Sequence, residues 1–470
     1  MKFLIKASLL LTVLLSVGAA ASPHMGIEPS EFEARRRAIM AEAGDGILLL
    51  HSISAPKDWS DTGFQQDTNF FYLTGLENLH DAILAIDGET HQSWLFVMVP
   101  SPREQRMYAP LSGWNSAFLS PSTATEQLLR IDHVVPWDQF TSFIDERRKA
   151  NPKLAFYLDQ GGEGKMVADI SDPPDLAPVE NNFTLWTSAI KTKWPDAKII
   201  DATQMLKAMR AVKSPAEVAL MRKAAGYTDV AFRAAITAMA PGRTNRQIEG
   251  AAVKAAMDAG ADGIGMWPEL KGGSTVSGST VYQKSFDYHL LNRRLSAGET
   301  LLMDLGFSHE FYKGDVGRTL PVSGRFLPDQ REVIDFMDAA YHAGVRSMRD
   351  GASSEDVIQA ATRYVVDHSE TLHSELARKA AAKLINPKSW IMYSHGMDPV
   401  EIWPVKQLQT GYTVAFGPDF DVDGVGFYEE DVFLIEPQGE ELINPPLPNT
   451  AAEIERTMAT LKRAGRQRHR

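Results

Sequence analysis

The stretch Leu301 to Phe326, LLMDLGFSHEFYKGDVGRTLPVSGRF, constrains this chain more than any other. Two apolar runs, Leu301 to Leu305 and Phe311 to Val322, flank a turn region of Gly, Ser, His and Glu and set Asp304 and Asp315 eleven residues apart. Paired as antiparallel strands, the runs let both carboxylates project from one face toward a common point. Crowded carboxylates repel, and a cation between them settles the conflict. A divalent metal so held also turns a bound water into a hydroxide nucleophile near neutral pH. The pattern therefore favours a metal-dependent hydrolase. The bland alternative is a pair of strand aspartates spaced by chance.

At 470 residues the chain is long for one core, which predicts two domains. Its 44% hydrophobic and 23% charged residues fit an ordinary globular protein and give no sign of disorder. Residues 1–22 read as a signal peptide: Lys2 and Lys6 form a basic start, Leu9 to Val17 an apolar stretch too short to span a bilayer, and Gly18 to Ser22 a small-residue cleavage site. Export to the periplasm or medium is the expectation, with no membrane attachment after cleavage; an uncleaved anchor is the alternative. The chain has no cysteine, which removes thiolate metal sites and a cysteine nucleophile. Any metal must use carboxylate and imidazole ligands, suiting manganese, zinc or cobalt. Without the leader, 46 basic residues face 60 acidic ones, a net charge of about −14 that argues against a nucleic-acid partner.

From Ile27 to about Ile200, short apolar runs alternate with polar segments. Gly46 to Leu50, Ala82 to Ile86, Ser93 to Val99 and Leu154 to Leu158 read as strands and Glu31 to Ala43 as a helix, an α/β pattern. The domain boundary falls near KAMRAVKSPAEVALMRKAA. There Ser214, Pro215 and Glu217 form a capping box that starts a helix running to about Met239. Thr244 with Gln247 starts a second, ending at Gly260. Two more helices are predicted over Asp329 to Asp350 and Ser354 to Thr371.

The segment GDVGRTLPVSGRF, through Arg318, Thr319 and Pro321, resembles the pita-bread metallopeptidases, aminopeptidase P and prolidase among them. FQQDTNFFYLTGLENLHDAILAID, Phe64 to Asp87, resembles the amino-terminal domain of aminopeptidase P, and PPLPNTAAEIERTMA resembles the family's carboxy-terminal end. For Phe70, Phe71 and Tyr72 core packing is the plainer role. The resemblance implies a smaller α/β N-terminal domain over residues 27–200, an α+β pita-bread domain over 202–460, and a basic tail over 461–470. It implies an Xaa-Pro aminopeptidase activity on peptides with proline in second position, and a homodimer or homotetramer.

The family's two metals, most often manganese, take two Asp, one His and two Glu. Asp304 and Asp315 match the Asp positions, and Glu430 in GFYEEDVFLIE matches the last Glu, followed as the pattern asks by Asp431. The alternative is that Glu429 points inward instead. The other positions depart from the family. In LQTGYTVAFGPDF, Gly417 stands where the second Glu belongs, with Asp419 and Asp421 as nearby substitutes. In YSHGMDPVEIW, His395 matches a substrate-facing His while Pro399 falls at the metal-binding His, leaving His395 or Asp398 to reach a metal or His395 to bond the backbone. Asp287, before Tyr288, replaces another substrate-facing His, with His289 as a shifted replacement, and Tyr428 stands where an Arg is common. The ligand reading is thus Asp304, Asp315 and Glu430 on metal, with His395 and Glu430 in catalysis. Two metals are expected from the family, and the lost ligands leave one or none as alternatives. The competing reading is an inactive pseudoenzyme of the same fold that binds a peptide or a partner.

Overall fold

The computed structural model describes residues 24–54, 65–108, 113–161, 182–266, 269–272 and 293–468. The leader expected over residues 1–22 and the positions Asp287, Tyr288 and His289 lie outside the described residues.

Strands β1 (Ile47–His51), β2 (Ile83–Asp87), β3 (Gln92–Val97), β4 (His133–Pro136), β5 (Ala155–Leu158) and β6 (Lys198–Asp201) form one sheet in the order β4-β3-β2-β1-β5-β6. The pairs β1–β2 and β2–β3 are antiparallel and the rest parallel. Both faces are covered, which is why runs such as ILLL are continuously apolar. Ile47 and Leu49 join Phe96, Phe156 and Trp194 on one side, whereas Leu48 and Leu50 join Phe32, Phe70 and Phe71 on the other. The second of these cores continues into Met221, Tyr393, Ala415 and Val432, so the N-terminal domain packs directly on the larger one. Phe70, Phe71 and Tyr72 are core residues of that seam.

The C-terminal domain opens with the expected capped helices. Ser214 Oγ accepts from the Glu217 amide at 3.2 Å and Glu217 Oε2 accepts from the Ser214 amide at 2.8 Å, starting the helix Pro215–Ala238. Thr244 and Gln247 repeat the arrangement for Asn245–Ala259, which Gly260 ends in the left-handed conformation. The remaining strands are β7 (Gly263–Ile264), β8 (Glu269–Gly272), β9 (Thr300–Leu305), β10 (Phe307–His309), β11 (Tyr312–Lys313), β12 (Val316–Pro321), β13 (Trp390–Ser394), β14 (Thr413–Val422), β15 (Val425–Glu436) and β16 (Gly439–Leu442). Seven of them form a sheet in the order β13-β14-β15-β12-β9-β8, with β16 added against β15, while β11-β10-β7 form a small ribbon. Helices Pro328–Val345, Ser354–His368 and Glu375–Leu384 cover the sheet through a core that includes Ile334, Tyr341, Val365 and Leu384 with Phe416, Val414 and Phe433 of the strands.

Two expectations change in detail. The run Phe311 to Val322 is broken in two: Glu310 and Phe311 turn back with positive φ, and the Lys313 amide bonds to the Gly396 carbonyl instead of continuing the ladder. The basic run placed in a separate tail instead belongs to the helix Ala451–Arg468. No helix among the described residues is long and apolar enough to cross a membrane.

Candidate metal centre

The antiparallel register of three neighbouring strands builds the site. Gly317 on β12 lies opposite Asp304 on β9 and opposite Glu430 on β15. Side chains in register across a sheet share a face, and Asp315, two residues before Gly317, shares it too. One ligand atom each from Asp304, Asp315 and Glu430 therefore comes within 4.8 Å of the others. All three are buried, Asp315 and Glu430 completely. The register also separates Glu430 from Glu429, whose side chain goes to the opposite face.

Arg318 fixes that register from behind. Its guanidinium donates to the carbonyls of Gly317 and Glu430 and, at 2.9 Å, to both oxygens of Asp431. Tyr341 and Asn444 also donate to Asp431. The Arg and the Asp that flank the ligands in sequence thus clamp β12 to β15, holding Gly317 and Glu430 in line.

Two phenols complete the carboxylate side. Tyr393 Oη donates to Asp315 Oδ2 at 3.0 Å. Tyr428 Oη makes a short hydrogen bond to Glu430 Oε2 and lies 3.5 Å from Asp304 Oδ2. The other oxygens, Asp315 Oδ1 and Glu430 Oε1, are buried and take no hydrogen bond among the described residues. Burial, then the neighbouring Asp315, pushes Glu430 well above the usual carboxylate range, against the bonds from Tyr428 and Tyr393. Burial raises Asp315 as well, opposed by His395 and by hydrogen bonds with Tyr393 and Asp304. Buried orphan oxygens, acid groups held toward neutrality and a convergent oxygen set are what a single hard divalent cation would satisfy, so the residues fit one such ion.

The positions that depart from the resemblance have clear physical outcomes. Gly417 falls opposite Glu430, between the pairs Phe416–Asp431 and Asp419–Tyr428. A Cβ there would lie 1.6 Å from the Glu429 carbonyl oxygen, so the close strand approach leaves room for no side chain. Asp419, opposite Tyr428, is on the site's face and its charge helps raise Glu430, yet it is not among the three converging ligands. Pro399 contributes its carbonyl, which faces His395 Nδ1 at 2.9 Å, while His395 Nε2 meets the Lys313 carbonyl at 2.9 Å. His395 thus meets backbone carbonyls through both nitrogens, as its alternative reading had it, donating to one as a neutral ring or to both as an imidazolium, and it lies 3.6 Å from Asp315. Asp398 is drawn away from the metal centre into an ion pair with Arg210 at 2.7 Å.

That ion pair belongs to a second buried cluster that sequence reasoning missed. Arg210 donates to Asp398 and to Glu401 at 2.8 Å, and also to Thr68 and Asn69 of the N-terminal domain. Lys213 Nζ bonds Glu401 at 2.6 Å. Although burial pushes Glu401 up, Lys213 and Arg210 together outweigh it and bring its carboxyl down to about 2. The partners come from distant parts of the chain, so no local pattern pointed to them. The Tyr428 contact was within reach of the sequence, because two residues along a strand share a face with Glu430.

Comparison with known proteins agrees with this architecture. The chain is similar to the Xaa-Pro aminopeptidases of Haemophilus influenzae, at 25% identity over 91% of this chain and 97% of that one, and of Escherichia coli, at 24% over 93% and 99%. Among solved structures it is similar to proline aminopeptidase P II from Yersinia pestis, with a TM-score of 0.72, 22% identity and coverage of 92% of this chain and 100% of the other. Aminopeptidase P from E. coli with the inhibitor Pro-Leu gives 0.71, 21%, 93% and 99%. Residues 32–157 match the family model for the aminopeptidase P N-terminal domain. Residues 219–458 match the model for metallopeptidase family M24, and with a pita-bread domain behind an aminopeptidase P-type N-terminal domain, the chain belongs to that family.

Proposed function

We propose that this chain is an exported, metal-dependent aminopeptidase that removes the N-terminal residue from peptides with proline in second position. The single observation behind the reading is the convergence of Asp304, Asp315 and Glu430 within 4.8 Å in a buried site. These three residues would hold a divalent cation, manganese by preference and zinc or cobalt as alternatives. When bound, such an ion polarises a peptide carbonyl and acidifies a water. Glu430 is the nearest acid for proton transfer at that point, Glu429 beside it in sequence facing the other way. His395 positions the Ser394–Glu401 loop through the Lys313 and Pro399 carbonyls. Export rests on the basic, apolar and small-residue character of residues 1–22, and assembly as a homodimer or homotetramer on the resemblance.

The test is incubation of the full chain with Arg-Pro-Pro and Mn²⁺. Release of free arginine is expected, lost when Asp304 or Asp315 becomes Asn. A failure to release arginine with Mn²⁺, Zn²⁺ or Co²⁺ would refute the reading. A second reading, a peptide-binding pseudoenzyme, is favoured by the space closed at Gly417 and by His395 having both nitrogens on backbone. It predicts peptide binding without release.

A further inference from the structure

The two tyrosines divide the carboxylates into inner and outer oxygens. Tyr393 takes Asp315 Oδ2 and also meets Glu430, Tyr428 takes Glu430 Oε2, and Asp315 Oδ1 and Glu430 Oε1 accept no hydrogen bond among the described residues. How Tyr428 reaches this place is specific to the local sequence. From β15 its ring lies flat across β12 at Gly317, where a Cβ would come 1.9 Å from the ring, and its hydroxyl arrives beside Asp304 on β9. A glycine in the middle strand is therefore the condition for a phenol spanning three strands. The ring is buried and fixed by this slot.

We infer that Tyr428 is an internal competitor for the carboxylate cluster, weakening its hold on the one divalent cation per chain for which the neighbouring residues leave room. This rests on the reading of Asp304, Asp315 and Glu430 as metal ligands. A carboxylate oxygen that accepts a hydrogen bond gives less electron density to a metal, and an oxygen lone pair aimed at a phenol is not aimed at an ion. Groups that would complete a second coordination sphere are spent or missing close by: Gly417 has no space for a side chain, both His395 nitrogens face carbonyls, and Asp398 is paired with Arg210. Asp419 and Asp421 lie on that face one strand away, opposite Tyr428 and Gly426.

The measurement is calorimetric titration of the metal-free full chain with Mn²⁺, with the ion count read by native mass spectrometry. Wild type is expected to take one ion. Tyr428→Phe keeps the ring in its slot and removes only the hydroxyl. It is expected to take one ion with about tenfold higher affinity, the effect of freeing one charge-assisted hydrogen bond, and to melt like wild type without metal. Two ions in wild type, or an affinity unchanged or lowered in Tyr428→Phe, would overturn the inference while leaving the metal-dependent reading intact. No binding by either protein would overturn both. If Tyr428→Phe does not fold, Tyr428→Leu is titrated in its place, with the same rise expected and the same outcomes overturning the inference.

Discussion

Two buried acidic clusters lie within this molecule, and they are balanced in opposite ways. Around Glu401 the chain brings its own cations: Arg210 and Lys213 both bond to a carboxylate that is almost fully buried. Around Glu430 it brings phenols and a backbone-bound imidazole, and among the described residues neither Asp315 nor Glu430 pairs with a lysine or arginine. The acidities follow. Glu401 is pulled down to about 2, whereas Glu430 is pushed well above the ordinary range. A carboxylate compensated by the protein's own cations holds structure together, and one left uncompensated is open to a proton or a metal. The difference separates a brace between domains from a site.

The largest expected effect tests the compensated side. Glu401→Ala strands Arg210 and Lys213 in the interior, and breaking a buried pair from one side costs about 3–5 kcal/mol. Urea unfolding at pH 7 measures it. Because the folded carboxyl titrates near 2 and the unfolded one near 4.5, the contribution of Glu401 is complete above pH 4.5 and is lost as pH falls toward 2. Wild type and variant should therefore converge in acid. Equal stabilities at pH 7 would mean that the hub is no brace.

The next effect belongs to the uncompensated side. If the three carboxylates take a cation, Mn²⁺ at a hundredfold excess over its dissociation constant stabilises the folded chain by about 2.7 kcal/mol. Thermal melts with Mn²⁺ and then with chelator should show a rise and its reversal. Glu401→Ala should keep that response and Asp315→Asn should lose it. A response that survives in Asp315→Asn would place the ion elsewhere.

These contrasts also show what could be read in advance. The capped helices, four of the six strands of the first sheet and the pairing that sets Asp304 and Asp315 on one face were legible because each depends on nearby sequence, whereas Glu430 was reached only through the resemblance. The break at Glu310 and Phe311 was not, since it is set by a hydrogen bond to Gly396 from a loop distant in the chain. For His395 a bond to backbone was one of the readings, but its two partners were not legible, because they are main-chain carbonyls that any residue could supply. Arg210, Lys213 and Glu401 carry no local signature at all; only the folded chain brings them together.

A smaller effect probes the strand contact that separates this site from a fuller set of ligands. Gly417→Ala drives a methyl group toward the Glu429 carbonyl oxygen, so β14 and β15 must part. Overpacking of this kind costs about 1–3 kcal/mol. Chemical denaturation gives the loss, and Gly417→Glu should be worse still and gain no second ion by mass spectrometry. A Gly417→Glu chain that is as stable as wild type and binds an additional ion would show the gap to be a vacant ligand position and not a packing contact.

The smallest effect carries the opposite sign and isolates the comparison best. In the metal-free chain burial, and then the neighbouring Asp315, push the folded-state titration of Glu430 above that of the unfolded chain, against the bonds from Tyr428 and Tyr393. The stability it contributes is fully present below about pH 4.5, its ordinary value, and is lost as pH rises toward the folded value. Glu430→Gln keeps the volume and an oxygen for Tyr428 to donate to, but it has no proton to lose. The variant should match wild type at pH 4 and exceed it at pH 8 in the presence of chelator, as urea unfolding at the two pH values would show. With Mn²⁺ the order reverses, since wild type regains more from the ion than it lost to repulsion. A variant less stable than wild type at pH 8 without metal would mean that the Glu430 charge is compensated after all, and the two clusters would then differ in partners but not in kind.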